Sequence, residues 1–325
     1  MRRSSISVKP LRLIPDWELV GPVLLGWSPR CGRPGLTSGV HNGLRDHLRA
    51  SGREARFAAP VVSAGAIGPN FVQAPSLKDI WLRDFCGVPA LDEAGEPCMA
   101  KFRYRPSYLP LAEAEDGDAA AHELATALKL PVQDVHLILD GGNLTHDGRG
   151  TAICTTRILD DNRPTAEREL RELLRRSCGI NKLVILPEEP GDATGHIDGM
   201  VRFLSPTVVL VGSYPATYKE GHCFMDGVAE CVREQLGPEY RVLRLPNDHP
   251  EDVLYEGIPS AVGNRVNFLR AGMLCMMPAY GTPGDGQAMA VLRAAIEGLD
   301  VCAIDGCTRL ARTGGVLNCM SWVAP

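Results

Sequence analysis

TAICTTRILDDNRPTAERELRELLRRSCGINKLVIL, residues 151–186, is the stretch that decides the fold. It predicts a strand at 151–156, a helix over 164–178 and a second strand over 180–186. Proline in the first helical position and a glycine just past the last one, here Gly179, are the usual boundary signals of a helix. The stretch is therefore one unit of strand, turn, helix, glycine and strand.

The same unit recurs twice downstream and, more weakly, twice upstream. The downstream copies have strand, helix and strand at 208–212, 226–236 and 240–245, and at 273–277, 285–297 and 301–304. The upstream copies have them at 23–26, 38–50 and 57–62, and at 101–104, 117–129 and 135–139. Five units of roughly 60 residues fill the chain, which favours radial repetition within one domain, residues 1–325. On periodicity alone, an ordinary sheet with alternating strands and helices is an equal alternative.

The segment after the second strand of each unit carries most of the residues suited to chemistry. In chain order these segments are IWLRDF at 80–85, LDGGNLTHDGRGT at 139–151, GHIDGMVRF at 195–203, GNRVNF at 263–268 and TGGVLNCMSW at 313–322. A ring of five units would bring the segments together on its axis, with one polar contribution from each.

Composition and charge exclude several classes of protein. The formal net charge is −5 and there is no run of Lys or Arg, so nucleic acid is not expected as a partner, whereas a small cation is a plausible substrate. The first 20 residues lack the apolar region of a signal peptide, and no apolar run has the length of a membrane span. Eleven cysteines without a CxxC pair indicate reduced thiols and a cytoplasmic location. A homo-oligomer is left open.

Four residues in these segments suit chemistry on a guanidinium group. The guanidinium carbon is a poor electrophile, so a thiolate such as that of Cys319 is the nucleophile of choice. Carboxylates match the planar cation in a bidentate way, and we expect Asp84 and Asp198 to hold it. His196 is two residues from Asp198, which places both on the same face of an extended segment, and its imidazole can serve as acid and base.

Each of these residues also has a plainer interpretation. A lone cysteine such as Cys319 is more often part of the core. His196 and Asp198 could be two of several metal ligands, but no third ligand stands at convincing spacing, so we predict neither a metal nor a cofactor. Asp84 could form a buried ion pair with Arg83, and the glycines of the second segment could be turn residues only.

Together the five segments resemble the agmatine deiminase and bacterial-type peptidylarginine deiminase family, which belongs to the pentein superfamily of guanidine-modifying enzymes. The resemblance runs from about Trp81 to Pro325 and rests on the following segments, WxRD at 81–84, [ED]GGN…DGxGT at 140–151, HxDxxxRF at 196–203, xNF at 266–268 and GGxxHC at 314–319. Singly, only the third and fifth are fairly specific, whereas all five in order form a specific combination.

The resemblance implies a five-bladed, pseudo-symmetric α/β propeller that hydrolyses a guanidine compound to a ureido product and ammonia through a thiouronium intermediate on the cysteine. It implies that Cys319 is the nucleophile, that His196 is the acid and base, and that Asp84 and Asp198 bind the guanidinium. It also implies substrate-binding or supporting roles for four further residues, Asn267, Trp81, Asn143 and Arg202. The partner would be a small guanidine molecule, such as agmatine or an arginine derivative.

The chain departs from the family pattern at several positions. Asn318 stands where a histidine usually precedes the cysteine, and Asp140 stands where agmatine deiminases usually have glutamate. Residues 320–322 read Met-Ser-Trp, and Trp27–Ser28–Pro29–Arg30 match the family's opening poorly. These departures lie around the mouth of the site, so guanidine chemistry is better supported than agmatine as the substrate.

Three other functions remain as alternatives. An amidinotransferase would use the same cysteine and histidine but pass the amidino group to an amine. A deiminase acting on arginine within proteins would need an open site. A non-catalytic guanidine-binding protein would not require the thiol of Cys319.

Overall fold

A computed structural model describes residues 10–27, 37–60 and 70–325. The strands are β1 Arg12–Leu13, β2 Val23–Gly26, β3 Ala55–Ala59, β4 Phe71–Gln73, β5 Val88–Leu91, β6 Pro97–Arg103, β7 Val132–Ile138, β8 Thr145–His146, β9 Thr151–Thr155, β10 Lys182–Leu186, β11 Val201–Ser205, β12 Val208–Ser213, β13 Arg241–Pro246, β14 Leu254–Tyr255, β15 Ile258–Pro259, β16 Leu269–Ala271, β17 Leu274–Pro278, β18 Asp300–Ile304 and β19 Ser321–Val323. The helices are α1 Ser38–Ala50, α2 Leu82–Phe85, α3 Leu111–Ala127, α4 Arg157–Asp161, α5 Glu167–Cys178, α6 Lys219–Leu236, α7 Pro283–Ala295 and α8 Cys307–Ala311.

Each of the five sequence units forms a parallel pair of strands joined through a long helix. These pairs are β2 with β3, β6 with β7, β9 with β10, β12 with β13 and β17 with β18. In each case an antiparallel strand adds to the first member of the pair, namely β19, β5, β8, β11 and β16. The result is five small mixed sheets, extended in two cases by β4 or β1, and a separate hairpin of β14 and β15.

Each long helix packs its apolar side between two sheets. In α6, for example, Met225 and Val228 share one core cluster with Ile153 of β9 and Val209 of β12. In α7, Leu292 lies in the next cluster, with residues of β12 and β17. Burying a side chain of this size contributes on the order of 2 kcal/mol, so these helices fix the sheets relative to one another.

Most predicted elements are confirmed within a few residues, and the differences lie at helix starts. The helix predicted to begin at Pro164 begins at Glu167, because residues 157–161 already form α4 and a turn follows. The side chain of Asn162 fixes this turn by bonding both backbone groups of Ile138. Acidic residues in the first turn favour the later start, and Gly179 ends α5 with a φ of +65° as expected.

Three other helices start earlier than predicted. α3 starts at Leu111, α6 at Lys219 and α7 at Pro283. A capping box between Thr282 and Asp285 explains the start of α7. In the strand predicted at 57–62, Val61 and Val62 lie outside the described residues, as do Ser28, Pro29 and Arg30.

No helix in the described part of the chain combines the length and apolar character needed to cross a membrane.

Candidate active site

The polar segments begin where the second strand of each unit has ended, and each leads into the antiparallel strand of another sheet. Asp140 directly precedes a 3-10 turn, Gly141–Asn143, that connects β7 to β8. His196 likewise precedes the turn Ile197–Gly199, which leads into β11. These two turns contact each other, so Asp140 and His196 lie side by side.

A pocket of about 860 Å³ receives side chains from the first, third, fourth and fifth segments. Six of the eight residues predicted for the site line it, namely Trp81, Asp84, His196, Asp198, Asn267 and Cys319. Five of these six are at least nine-tenths buried, and Cys319 is 8% exposed. The pocket therefore holds a thiol, an imidazole and two carboxyl groups at its inner end.

The thiol of Cys319 lies beside an amide and a carboxylate. Nδ2 of Asn267 lies 3.1 Å from Sγ of Cys319 and 3.0 Å from Oδ2 of Asp198. Oδ1 of Asn267 accepts the backbone N–H groups of Asn318 and Cys319. One asparagine thus fixes the nucleophile's backbone and donates to its sulfur.

The imidazole of His196 lies between two carboxyl groups. Nε2 is 3.0 Å from Oδ2 of Asp140, and Nδ1 is 3.4 Å from Oδ1 of Asp84. The hydroxyl of Tyr108 donates to the same oxygen of Asp140 over 2.9 Å. The ring of Tyr108 packs edge to face with the imidazole. Both ring nitrogens therefore face acceptors, an arrangement that favours the doubly protonated imidazolium.

Two glycines allow these groups to approach so closely. A Cβ at Gly142 would lie 2.4 Å from Oδ1 of Asp84 and 2.7 Å from Nδ1 of His196. A Cβ at Gly315 would lie 2.7 Å from the Trp81 ring and 3.0 Å from Cβ of Cys319. A larger residue at either position would push the reactive groups apart.

Burial and charge set the protonation states before a substrate binds. Burial raises the pKa of the Cys319 thiol well above its usual value, and the carboxylates of Asp198 and Asp84 raise it further. Burial likewise raises the pKa of Asp84 to about 8, with Asp198 adding to the effect and His196 opposing it. For His196, burial lowers the pKa, but Asp84 and Asp140 more than compensate and raise it to about 10. At neutral pH the site holds a neutral thiol and an imidazolium.

Two of the residues predicted to bind the substrate lie outside the pocket. Arg202 does not line this pocket; its guanidinium bonds Asp16 and the carbonyl of Phe268 beneath the site. Asn143 also points away, and its Oδ1 accepts the backbone N–H and the hydroxyl of Thr155. Both motif residues support the backbone around the site. The spacing of a motif alone does not distinguish this structural role from contact with a ligand.

Four residues in or next to the pocket were missed as site residues. Asp140 was noted only as a departure from the family pattern, yet it bonds His196 directly. Tyr108, Glu189 and Tyr214 line the pocket but stand outside the five motif segments. Only Asp140 carried a sequence signal, its position directly before Gly141.

The outer pocket is acidic and partly aromatic. The described residues that line the whole pocket include one lysine, Lys78, and nine acidic residues, namely Asp84 and Asp198 at the inner end and Asp79, Glu113, Glu189, Asp192, Glu251, Asp252 and Glu256. The hydroxyl of Tyr214 donates to Oε1 of Glu189 over 2.5 Å, and the rings of Tyr214 and Tyr218 pack edge to face. An acidic wall with aromatic rings favours a cation over an anion.

Candidate metal sites are not found in the described residues, where no group of three or more His, Cys, Asp or Glu side chains is placed to hold an ion.

Comparison with solved structures identifies the class of fold. The chain matches the agmatine deiminase of C. jejuni with a TM-score of 0.81 at 18% identity, over 97% of this chain and 96% of that one. It also matches inosamine-phosphate amidinotransferase from Streptomyces griseus with a TM-score of 0.53 at 13% identity, over 97% and 96% of the two chains. The protein therefore has the mixed α/β fold that these pentein enzymes share.

The family follows from the sequence match. Residues 49–325 match the model of the Porphyromonas-type peptidyl-arginine deiminases, so the chain belongs to this family of deiminases, enzymes that act on guanidino groups. A relative, the agmatine deiminase of Pseudomonas putida, is 25% identical over 281 residues, which are 77% of this chain and 75% of the relative. The family resemblance predicted from the motifs is confirmed.

Proposed function

We propose that the protein hydrolyses a small guanidine compound that carries a second positive charge, releasing ammonia and leaving a ureido product. The observation that carries the proposal is the meeting of Cys319, His196, Asp84 and Asp198 in one pocket. Similarity to the agmatine deiminase of Pseudomonas putida supports the same reaction type.

The two aspartates would bind the guanidinium. Asp84 and Asp198 both line the inner pocket, and the cationic group that acts on Asp84 there is His196. A bound cation would draw protons from both Asp84 and the thiol of Cys319, because it favours the charged form of each. Substrate binding would in this way generate the thiolate that the free enzyme lacks.

The first half-reaction would form a bond between Sγ of Cys319 and the guanidinium carbon. The tetrahedral adduct then loses one nitrogen, which takes a proton from the imidazolium of His196 and departs as ammonia. The site is suited to this order because the raised pKa of His196, about 10, keeps its proton available. An S-alkylthiouronium group remains on Cys319.

The second half-reaction would use the neutral imidazole that the first half leaves behind. His196 takes a proton from water, the oxygen bonds the thiouronium carbon, and the bond to sulfur breaks with its electron pair on Cys319 while the new hydroxyl releases its proton to solvent. The product leaves as a urea. Asp140 and Tyr108 would hold the imidazole in place throughout, since both bond or contact its Nε2 side.

The outer pocket would select the far end of the substrate. Glu189 is half-buried beside Tyr214, and its partial removal from water raises its pKa to about 7, so a cation bound there would favour its ionised form. Asp192 lies close enough to act on the same group. We therefore expect an ammonium tail to bind better than a carboxylate tail.

Three further features belong to the same proposal, namely the ring architecture, the single domain and the location of the protein. A five-bladed ring is supported by the helices, since each of the five long ones shares a core cluster with two sheets. One catalytic domain, residues 1–325, is supported by the contribution of every unit to one pocket. A cytoplasmic location is supported by the ten described cysteines, all of which are free.

A matched pair of substrates tests the function. Agmatine and guanidinobutyrate share a guanidine and a short chain but end in an ammonium and a carboxylate, and arginine and an arginine peptide complete the panel. We expect ammonia and ureido product from agmatine without an added amine. Turnover that requires an amine acceptor would instead identify an amidinotransferase. Preference for the arginine peptide would identify a deiminase that acts on proteins. No Cys319-dependent turnover of any member, with or without amine, would refute the proposal.

A further inference from the structure

Asn318, the residue before Cys319, is fixed by hydrogen bonds of both its backbone and its side chain. It is 2% exposed, and its backbone N–H donates to Oδ1 and to the carbonyl oxygen of Asn267 at 3.1 Å each. Its side-chain Nδ2 donates to Oδ2 of Asp198 over 2.6 Å. The amide therefore has one position and one carboxylate partner.

The two asparagines share the same oxygen of Asp198. Oδ2 accepts from Asn318 at 2.6 Å and from Asn267 at 3.0 Å, and Sγ of Cys319 lies 3.7 Å from it. The two hydrogen bonds from the asparagine side chains hold Oδ2 of Asp198 in place. Its other oxygen, Oδ1, is therefore left to face the pocket. Hydrogen bonds to an ionised acceptor are about twice as strong as neutral ones, so this pair fixes the carboxylate firmly.

The other side of Asn318 faces a second, much smaller cavity. This cavity, of about 30 Å³, is also lined by Asp16, Arg83, His146, Asp198 and Arg202. Oδ1 of Asn318 has no hydrogen-bond partner among the described residues. Asn318 thus lies among charged groups, since this cavity holds Asp16, Arg83 and Arg202 and its own amide bonds Asp198.

We infer that Asn318 is a positioning residue, which orients Asp198 for the guanidinium without adding a charge to a site already crowded with them. The inference rests on the proposed function, because it assigns Asp198 to guanidinium binding. An amide is the suited group here: it donates like a histidine or a lysine but is neutral at every pH. Because asparagine stands here in place of the usual histidine, the group that holds Asp198 in position does not change its charge with pH.

Three substitutions separate this role from a merely structural one. Asn318→Asp keeps the shape but replaces the donor by a carboxylate facing Asp198. We expect KM for agmatine to rise about tenfold or more, because one hydrogen bond to a charged group is lost. The change in kcat should be smaller. The ratio of variant to wild-type KM should shrink as the pH falls, because the added carboxyl regains a proton that it can donate to Asp198.

Asn318→Leu removes the donor without adding a charge, so its KM defect should persist at every pH. Asn318→His restores a donor and should recover most of the affinity where the ring presents an N–H to Asp198. Ser321→Ala is the matched control: the hydroxyl is fully buried and bonds only the backbone of Leu317 and Asn318, so KM should stay unchanged. Thermal unfolding of each variant reports whether it is folded.

The deciding experiment measures agmatine binding by calorimetry in proteins that also carry Cys319→Ala, so that turnover plays no part. We expect Asn318→Asp to weaken binding at least tenfold at neutral pH, with recovery at acid pH. Equal affinity in a folded Asn318→Asp protein would overturn the inference alone. A parent protein that binds none of the guanidines of the panel would instead refute the proposed function, and the inference with it.

Discussion

Nδ1 of His196 lies 3.4 Å from Oδ1 of Asp84, and the α-carbon of Gly142 faces the gap between them. The approach is possible only because residue 142 has no Cβ. This glycine comes from the second segment and the other two residues from the third and the first. Three units therefore meet at one contact, where the positions of His196 and Asp84 depend on each other.

Gly142→Ala should break this contact. The added Cβ would lie within 2.7 Å of both partners, so one of them must move, and overpacking of this kind costs roughly 1–3 kcal/mol. We expect kcat/KM to fall more than about tenfold and the melting temperature to fall as well. Gly227→Ala, at an open position of α6, is the control and should stabilise by about 0.5–1 kcal/mol. Equal effects of the two variants would show that Gly142 has no special place.

Asp198→Asn should damage binding and catalysis together. The change removes the charge that pairs with the guanidinium and replaces Oδ1 or Oδ2 by a donor facing the amides of Asn267 and Asn318. We expect kcat/KM to fall by about a hundredfold or more, with a higher KM. Asp226→Asn, a half-exposed partner of Arg244, is the control. Normal steady-state kinetics in Asp198→Asn would remove this residue from the site.

Glu189→Gln should change the choice of substrate rather than the chemistry. Loss of the carboxylate beside Tyr214 weakens the attraction for an ammonium tail, so KM for agmatine should rise about fivefold or more while kcat stays near that of the wild type. Guanidinobutyrate should not suffer. The neighbouring Glu188→Gln is the control, because Glu188 pairs with Arg157 and does not line the pocket. A KM for agmatine that is unaffected in Glu189→Gln would place the tail elsewhere.

The pH dependence of kcat/KM follows from three groups of the free enzyme. Asp84 must be ionised and Cys319 must lose its proton, and the pKa values of both are raised, that of Asp84 to about 8. His196 must keep its proton, and its pKa is raised to about 10. We expect kcat/KM to increase from about pH 6 upward and to decline only near pH 10. A profile that falls between neutral pH and about pH 9 would contradict these assignments.

Much of the fold could be predicted because each unit repeats its boundary signals. The strands were located within a few residues, since a glycine or a proline marks the end of most helices, as Gly179 does for α5. The early start of α6 was missed because Gly221 lowers the local helix propensity, and packing of Met225 in the core overrides it. Tertiary contacts of this kind are absent from any local pattern.

The site could be predicted only where motif residues face the pocket. Cys319, His196 and the two aspartates do so because short turns carry them. Arg202 belongs to the same motif but lies on a strand, and its side chain extends toward Asp16 on the far side. Tyr108 bonds Asp140 from a loop more than thirty residues earlier, a pairing that only the folded chain reveals. Motif membership therefore identifies the neighbourhood of the site, whereas the direction of each side chain decides its purpose.

The central claim is that the thiol of Cys319 performs the chemistry, and paired cysteine variants test it most directly. Cys319→Ser and Cys223→Ser each remove one thiol, the first in the pocket and the second on the exposed surface of α6. Ammonia and ureido product would be measured from agmatine at saturating concentration, with thermal unfolding alongside. The account predicts wild-type turnover in Cys223→Ser and a loss of at least about a thousandfold in a folded Cys319→Ser. Undiminished turnover in Cys319→Ser would contradict it.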